Sequence, residues 1–380
     1  MMSHLTIIAT AAMGLESLVA NEVKQLGYEP KTENGRVTFQ GDELAVARAN
    51  LWLRTADRIK LQIAQFNAYS FDELFEKTKA LDWAQYISED SEFPVIGKSV
   101  KSKLASVPDC QRIVKKAIVD KLQAQYKRSS WFEEKGALTR IEISMLKDVA
   151  TLTIDASGSG LHKRGFRTGQ GEAPIKETLA AALVTLTNWN PDKPFVDPFC
   201  GSGTIPIEAA LIGQNIAPGF NRDFVSEQWD WMEKKAWNEA RMEVEDLAKY
   251  DLPLDISGHD IDHRMIEIAK VNAEEAGLSD ILSFKQMQVR DFTTEKQYGV
   301  IVGNPPYGER LGEKEAVEKM YREMGEAFKP LDTWSIYMLT SHEGFQELYG
   351  KPATKKRKLF NGFIKTDYYQ YWGKRPPRNE

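Results

Sequence analysis

The chain has 380 residues, 42% of them hydrophobic, and 50 Lys and Arg against 55 Asp and Glu give a net charge of −5. This length exceeds what a single core usually supports, and the apolar share is enough to bury two or three cores. Two cysteines, Cys110 and Cys200, are too few and too far apart for a disulfide framework or a cysteine zinc site, and no run is apolar and long enough to span a membrane, so a cytoplasmic protein is expected.

Residues 1 to about 65 alternate strand and helix patterns. The apolar run 5–13 lacks a positive flank and leads into an amphipathic stretch at 15–23, which reads as a strand and helix of a fold rather than a signal peptide. Asn34-Gly35 marks a hairpin turn. Residues 66 to about 165 are predicted to hold helices at 71–79 and 108–126 and strands at 139–146 and 149–155, closing on a flexible Ser157-Gly158-Ser159-Gly160 break.

The charge is unevenly spread. Between residues 95 and 170, 15 Lys and Arg stand against 7 Asp and Glu, a local +8 that leaves −13 for the rest. Lys98, Lys101, Lys103, Arg112, Lys115, Lys116, Lys121, Lys163, Arg164 and Arg167 are the candidate phosphate contacts, with Lys127 and Arg128 beside them. Clustered cations neutralise phosphates and release counterions, giving affinity with little sequence information. Taken alone, the same residues are equally read as solvated helix faces.

From about 166 onward, strands alternate with helices as in a parallel, doubly wound sheet. Pro194-Phe195-Val196 leads into Asp197-Pro198-Phe199-Cys200-Gly201-Ser202-Gly203-Thr204 and then a helical pattern, a strand–glycine turn–helix unit. The glycines permit positive φ and close approach of a ligand, and the helix N-terminus presents free N–H groups. A third glycine is missing, and an acid precedes the turn where a pyrophosphate would be repelled, so a ligand with a cationic group fits better than a dinucleotide. An acidic, tryptophan-rich insert follows at 223–255, with Trp229, Trp231 and Trp237; it is either a packed amphipathic helix or an aromatic surface facing RNA.

A second strand ends at His259-Asp260-Ile261-Asp262. Asp260 is placed to accept from ribose hydroxyls, while Asp262 precedes a helix and suits a cap. A third strand at 281–284 runs towards Asp291, a candidate partner for an adenine amine. His259 and His263 have metal-pair spacing, but no third ligand is spaced to join them and no metal is expected.

Val300-Ile301-Val302-Gly303 reads as a buried strand delivering Asn304-Pro305-Pro306-Tyr307. An exocyclic amine on a base is a poor nucleophile, so a site holds it with acceptors. Asn304 supplies one, and the stiff Asn-Pro-Pro turn leaves the Pro305 carbonyl free as a second. Tyr307 offers a face on which an extruded base stacks, worth about 1–3 kcal/mol. Near the end, Lys355-Lys356-Arg357-Lys358 is either a solvated loop or another phosphate contact.

These motifs resemble class I S-adenosylmethionine-dependent methyltransferases that carry a THUMP domain, and among them the bacterial 23S ribosomal RNA guanine-N2 methyltransferases, also labelled N6-adenine-specific DNA methylases. Ile7-Ile8-Ala9-Thr10, Gly14-Leu15-Glu16, Ala173-Pro174-Ile175-Lys176-Glu177-Thr178-Leu179-Ala180-Ala181-Ala182 and Lys358-Leu359-Phe360-Asn361-Gly362 fit as well, so the likeness covers nearly the whole chain. It implies a ferredoxin-like module at 1–65, an α+β THUMP RNA-binding domain at 66–165 and a Rossmann-like methyltransferase domain at 166–380. The cofactor, leaving as S-adenosylhomocysteine, is then expected against Thr178, Asp197, Phe199, Gly201, Gly203, Thr204, Asp260, Ile261, Asp291 and Asn304, and Asn304, Pro305, Pro306 and Tyr307 are expected to act on the base. The implied partner is structured RNA, 23S rRNA or a large-subunit assembly intermediate, with no membrane or obligate protein partner. DNA adenine methylation, tRNA guanine-N2 methylation and a non-enzymatic ribosome-assembly role remain open.

Overall fold

The computed structural model describes residues 4–130, 132–169, 174–308 and 313–377. The chain packs as two compact units, the first from residues 1–11, 19–161 and 222–243 and the second from 12–18, 162–221 and 244–380.

In the first unit β1 (Leu5–Ala11), β2 (Lys31–Glu33), β3 (Arg36–Gly41), β4 (Ala56–Asn67), β5 (Val95–Val100), β6 (Ile141–Leu146) and β7 (Val149–Asp155) form one sheet in the order β2-β3-β1-β4-β7-β6-β5. The intervening helices are α1 (Glu16–Gln25), α2 (Glu43–Trp52), α3 (Phe71–Lys79) and α4 (Val107–Gln125). Side-chain oxygens start three of them: Asp42 accepts from the Ala45 N–H, Ser70 from Glu73 and Ser106 from Asp109, each satisfying an N–H that the first helical turn leaves orphaned. The Asn34-Gly35 turn joins β2 to β3 with Glu33 opposite Arg36 and Gly35 at φ +75°. β4 pairs with β1 along one edge and with β7 along the other. The module boundary expected near residue 65 therefore falls inside a continuous strand, and both expected modules share one sheet.

Residues 222–243 belong to this unit, and packing accounts for their aromatics. Trp229 and Trp237 are both 4% exposed. Trp229 stacks on Trp231 at 5.3 Å and donates its indole N–H to the Leu138 carbonyl at 2.9 Å, while Phe224 stacks on Trp237 at 5.4 Å.

The remaining elements are α5 (Glu177–Thr185), β8 (Phe195–Asp197), α6 (Thr204–Gly213), α7 (Lys234–Leu247), β9 (Ile256–Asp260), α8 (His263–Glu275), β10 (Leu282–Gln286), β11 (Val300–Gly303), α9 (Lys314–Phe328), β12 (Ser335–Thr340), α10 (Phe345–Tyr349), β13 (Lys355–Asn361) and β14 (Ile364–Tyr371). Seven strands make the second unit's sheet, in the order β10-β9-β8-β11-β12-β14-β13. All residues of β11 and β12 are buried, as expected of central strands covered on both faces. Val300 and Val302 enter one core with Leu183, Ile207 and Leu211, and Ile301 enters the other with Tyr321, Phe328 and Trp334. The doubly wound Rossmann-like arrangement is the expected one. The antiparallel β14, inserted between β12 and β13, was not legible in the sequence.

Strand order reverses between β8 and β11: β8, β9 and β10 advance one way, β11 and β12 the other. In an open α/β sheet the crevice beyond the carboxyl ends of the strands at such a reversal is the binding position. The two strands that border it here deliver the glycine turn and Asn-Pro-Pro-Tyr.

Candidate active site at the strand reversal

Asp197 ends β8 and is 1% exposed. Its Oδ1 accepts from the Phe199 N–H at 2.9 Å, whereas its Oδ2 is buried without a hydrogen-bond partner among the described residues. Burial, with the nearby Asp260 carboxylate, raises its pKa well above the usual carboxylate range. Asp260 ends the neighbouring β9, accepting from the Gly201 N–H at 3.0 Å and the Asp262 N–H at 2.9 Å; its pKa is also raised, chiefly by burial. Asp262 caps α8, accepting from the Arg264 N–H at 2.9 Å.

The turn between them needs its glycines. Gly203 has φ +83°, and a Cβ there would come within 3.0 Å of the Ala269 Cβ and 3.1 Å of Phe284. Gly201, at φ +49°, opens on free space, leaving its backbone approachable. The Cys200 N–H donates to the His259 carbonyl at 2.8 Å, pinning the turn against β9. His259 itself is buried against Phe292, its pKa pushed down to about 4 by burial and Lys285. Among the described residues no group of three His, Cys, Asp or Glu is arranged to hold a metal ion, and no helix is long and apolar enough to cross a membrane.

β11 lies beside β8 with Val300 opposite Phe195 and Ile301 opposite Val196. A Cβ on Gly303 would lie 3.1 Å from the Phe199 ring, so the loop after β8 rests directly on the end of β11. Asn304 is half-buried, Pro305 buried, Pro306 exposed and Tyr307 half-buried. The Tyr307 hydroxyl donates to Asn304 Oδ1 at 2.6 Å, and Asn361 Nδ2, from the end of β13, donates to that hydroxyl at 3.1 Å. The Pro306 carbonyl accepts from the Tyr321 hydroxyl at 2.6 Å, and Tyr321 also bonds Thr340 at 2.9 Å. The Pro305 carbonyl has no donor among the described residues. Asn361 and Tyr321 lie far from the tetrapeptide in sequence, so no local spacing announces either contact.

Thr178 is buried in the first turn of α5. Thr204 starts α6 and accepts from Arg167 at 2.9 Å, while Arg167 also lies 2.8 Å from Glu177. Arg167 thus ties the beginnings of α5 and α6 together. Phe199 is half-buried and Ile261 is 64% exposed. Asp291 stands apart: its carboxylate is 61% exposed and 3.9 Å from Arg290, and no hydrogen bond among the described residues joins it to the Asp197–Asp260 pair.

Three candidate phosphate contacts are engaged in the fold. Arg164 forms a fully buried ion pair with Glu208 at 3.0 Å, and Arg167 is held as described, so neither side chain is presented to a phosphate. Lys115 lies 3.4 Å over the Phe93 ring and 2.7 Å from Glu134, and burial lowers its pKa. Lys101, Lys103, Lys116 and Lys163 are exposed, Lys98 is exposed beside Glu142, Arg112 is exposed beside Asp109, and Lys121 is half-buried. Residue type and clustering cannot separate a cation that faces water from one that closes an internal pair.

A reversed seven-stranded sheet with a glycine turn, two strand-end acids and an Asn-Pro-Pro-Tyr corner defines a class I methyltransferase fold, preceded here by a sheet that spans two smaller modules. Residues 164–370 match the RMKL-like methyltransferase domain model, 6–60 the RlmL ferredoxin-like domain and 68–155 the THUMP domain, and the chain belongs to this RMKL-like methyltransferase family. It is 71% identical to a Bacillus subtilis (strain 168) protein named "Putative RNA methyltransferase YpsC", over 100% of this chain and 99% of that one. A solved Listeria monocytogenes protein described as a "predicted N6-adenine-specific DNA methylase" is 65% identical, with a TM-score of 0.95 over 98% of this chain and 97% of that one. The structure of SMU.472 complexed with S-adenosylhomocysteine is 52% identical, with a TM-score of 0.95 over 99% of this chain and 100% of that one.

Proposed function

We propose that the protein transfers a methyl group from S-adenosylmethionine to the exocyclic amine of a base flipped out of RNA, guanine N2 in 23S rRNA. The observation that carries this reading is the meeting of two loops at one strand reversal: Phe199, from the turn between Asp197 and Gly201, packs on Gly303, next to Asn304.

The site's own groups fit the cofactor. Asp197 Oδ2, without a hydrogen-bond partner among the described residues, suits an ammonium group, and the carboxylate oxygens of Asp260, each holding one N–H, keep lone pairs for ribose hydroxyls. Gly201 leaves room for close approach, and the exposed Ile261 side chain offers an apolar flank for the adenine. Thr178, Phe199, Gly203 and Thr204 complete the surroundings. Asp291 is the weakest member of the set, because its carboxylate faces water. When bound, the cofactor supplies a sulfonium methyl as the electrophile.

On the other side, Asn304 Oδ1 and the Pro305 carbonyl accept the two amine hydrogens and orient the nitrogen lone pair. The Tyr307 hydroxyl already fills one lone pair of Asn304 Oδ1, which fixes the amide as an acceptor and leaves a second lone pair for the base. The Tyr321–Pro306 hydrogen bond holds the turn rigid, and the Tyr307 ring stacks on the base. No covalent intermediate is needed, since holding the two reactants in line contributes ~7–11 kcal/mol.

The relatives' names divide between RNA and DNA. What favours RNA is that the THUMP match overlaps the locally basic segment, and that YpsC, named for RNA, is more similar to this chain than the Listeria protein named for DNA. The test is digestion of nucleic acids from cells lacking the protein. Loss of an N2-methylguanosine from 23S rRNA, restored by the wild-type chain and not by Asn304→Ala, is expected. Intact rRNA modification with loss of N6-methyladenine from DNA overturns the RNA reading.

A further inference from the structure

We propose that the tip of the β13–β14 hairpin is a second contact for the nucleic acid, with Phe363 stacking on a base next to the flipped one; this rests on the RNA methyltransferase reading above. Asn361 pairs directly with Ile364, so Gly362 and Phe363 form a two-residue turn. Gly362 has φ +62°, the conformation that the first central position of such a hairpin demands. The second position demands no aromatic, yet it carries Phe363, a residue 105% exposed while Leu359, Thr366 and Tyr368 below it are buried. A fully hydrated phenyl ring contributes nothing to folding. Its value lies in what it meets.

The position of the hairpin identifies that partner. Asn361, two residues before Phe363, holds the Tyr307 hydroxyl at 3.1 Å, so the turn begins at the tetrapeptide that receives the base. Two extended residues span at most about 7 Å, a distance on the scale of neighbouring nucleotides. The hairpin is also basic. Phe360 pairs with Lys365 and Lys358 with Asp367, which sets Lys358 and Lys365 on one face of the ribbon; both are exposed, and neither has an ion-pair partner among the described residues. An exposed aromatic with lysines behind it matches a strand of nucleotides, whose bases stack while their phosphates meet the cations. It also gives the Lys355–Lys358 run a location: a strand beside the site rather than a loop.

Flipping a base leaves a gap in the stack and costs a few kcal/mol, which a ring that occupies or abuts the gap offsets. Phe363 therefore acts on the nucleic acid and leaves the cofactor pocket alone.

The test uses the full-length protein and protein-free 23S rRNA from cells lacking it. Phe363→Ala is expected to lower kcat/KM for RNA methylation by about 5- to 150-fold, the range of one base–aromatic stack, with S-adenosylhomocysteine affinity and melting temperature unchanged. Phe363→Trp, which keeps a stacking face, is expected to retain most of the wild-type value. Wild-type kcat/KM in Phe363→Ala, or equal losses in Ala and Trp, overturns the inference while the methyltransferase reading stands. A wild-type protein that methylates none of this RNA overturns the function reading, and the inference with it.

Discussion

Asp197, in its proposed role at the cofactor's ammonium group, illustrates how a buried acid weakens the free protein. Its carboxyl is buried, one oxygen lacks a partner among the described residues, and its folded pKa lies well above the unfolded value. For an acid shifted this way, the folded state holds the proton more tightly, so stability is lost as pH rises from the unfolded value through the folded one and the penalty persists above. Asp197→Asn is expected to raise the melting temperature at neutral pH and abolish cofactor binding, measured by thermal melts and calorimetry. On the proposed reading a ligand ammonium at Oδ2 would ionise this carboxyl, so binding is expected to release a proton and to tighten as pH rises; calorimetry in buffers of different ionisation enthalpy reads that proton. Asn304 is tuned the other way, with an acceptor held ready by Tyr307. On the proposed mechanism Asn304→Ala is expected to cut turnover by roughly 10²- to 10³-fold with little change in cofactor affinity, since it would delete one positioned hydrogen-bond partner of the transition state. Equal losses in both would make Asn304 part of the cofactor pocket instead.

At the level of elements, α4 separates the two roles of a basic residue. Lys116 is exposed and Lys121 half-buried on this helix, while Lys115 lies across Phe93 towards Glu134. Replacing Lys116 and Lys121 by alanine is expected to lower the slope of log affinity against log salt by about 2, read in RNA-binding titrations, and to leave melting unchanged. Arg164→Met is expected to do the reverse, costing about 3–5 kcal/mol of stability because Glu208 stays buried without its partner. What was legible in the sequence follows the same division. Continuous apolar runs at 194–196 and 300–303 and the glycine turn at 201–203 declared buried strands and a close approach, because period and turn chemistry are local properties. The β14 insertion, the Asn361–Tyr307 bond and the internal pairing of Arg164 and Arg167 depend on which distant segments meet, and no residue spacing encodes that. Asp291 fell between the two cases: its position after β10 was legible, its exposure was not.

Taken as a whole, the chain alternates between its units, and the first is complete only with residues 222–243. A fragment ending near residue 165 contains the whole first sheet and lacks Phe224, Trp229 and Trp237, all at least 96% buried in the intact chain. Such a fragment is expected to melt below the same fragment carrying residues 222–243 on a flexible linker, and to bind a hydrophobic dye that the extended version does not. Equal melting would assign those aromatics a role outside folding. The same arrangement sets a schedule during synthesis. The first unit's sheet is finished when β7 leaves the ribosome, but its last aromatic cover is encoded roughly 80 residues later, which takes ~4–16 s at typical elongation rates. For that interval the nascent chain holds an apolar surface open while the glycine turn and α6 of the second unit are still emerging. A chaperone that recognises exposed apolar segments is expected to engage chains stalled with residues 170 to 220 at the mouth of the exit tunnel and to release those in which residue 243 has cleared it.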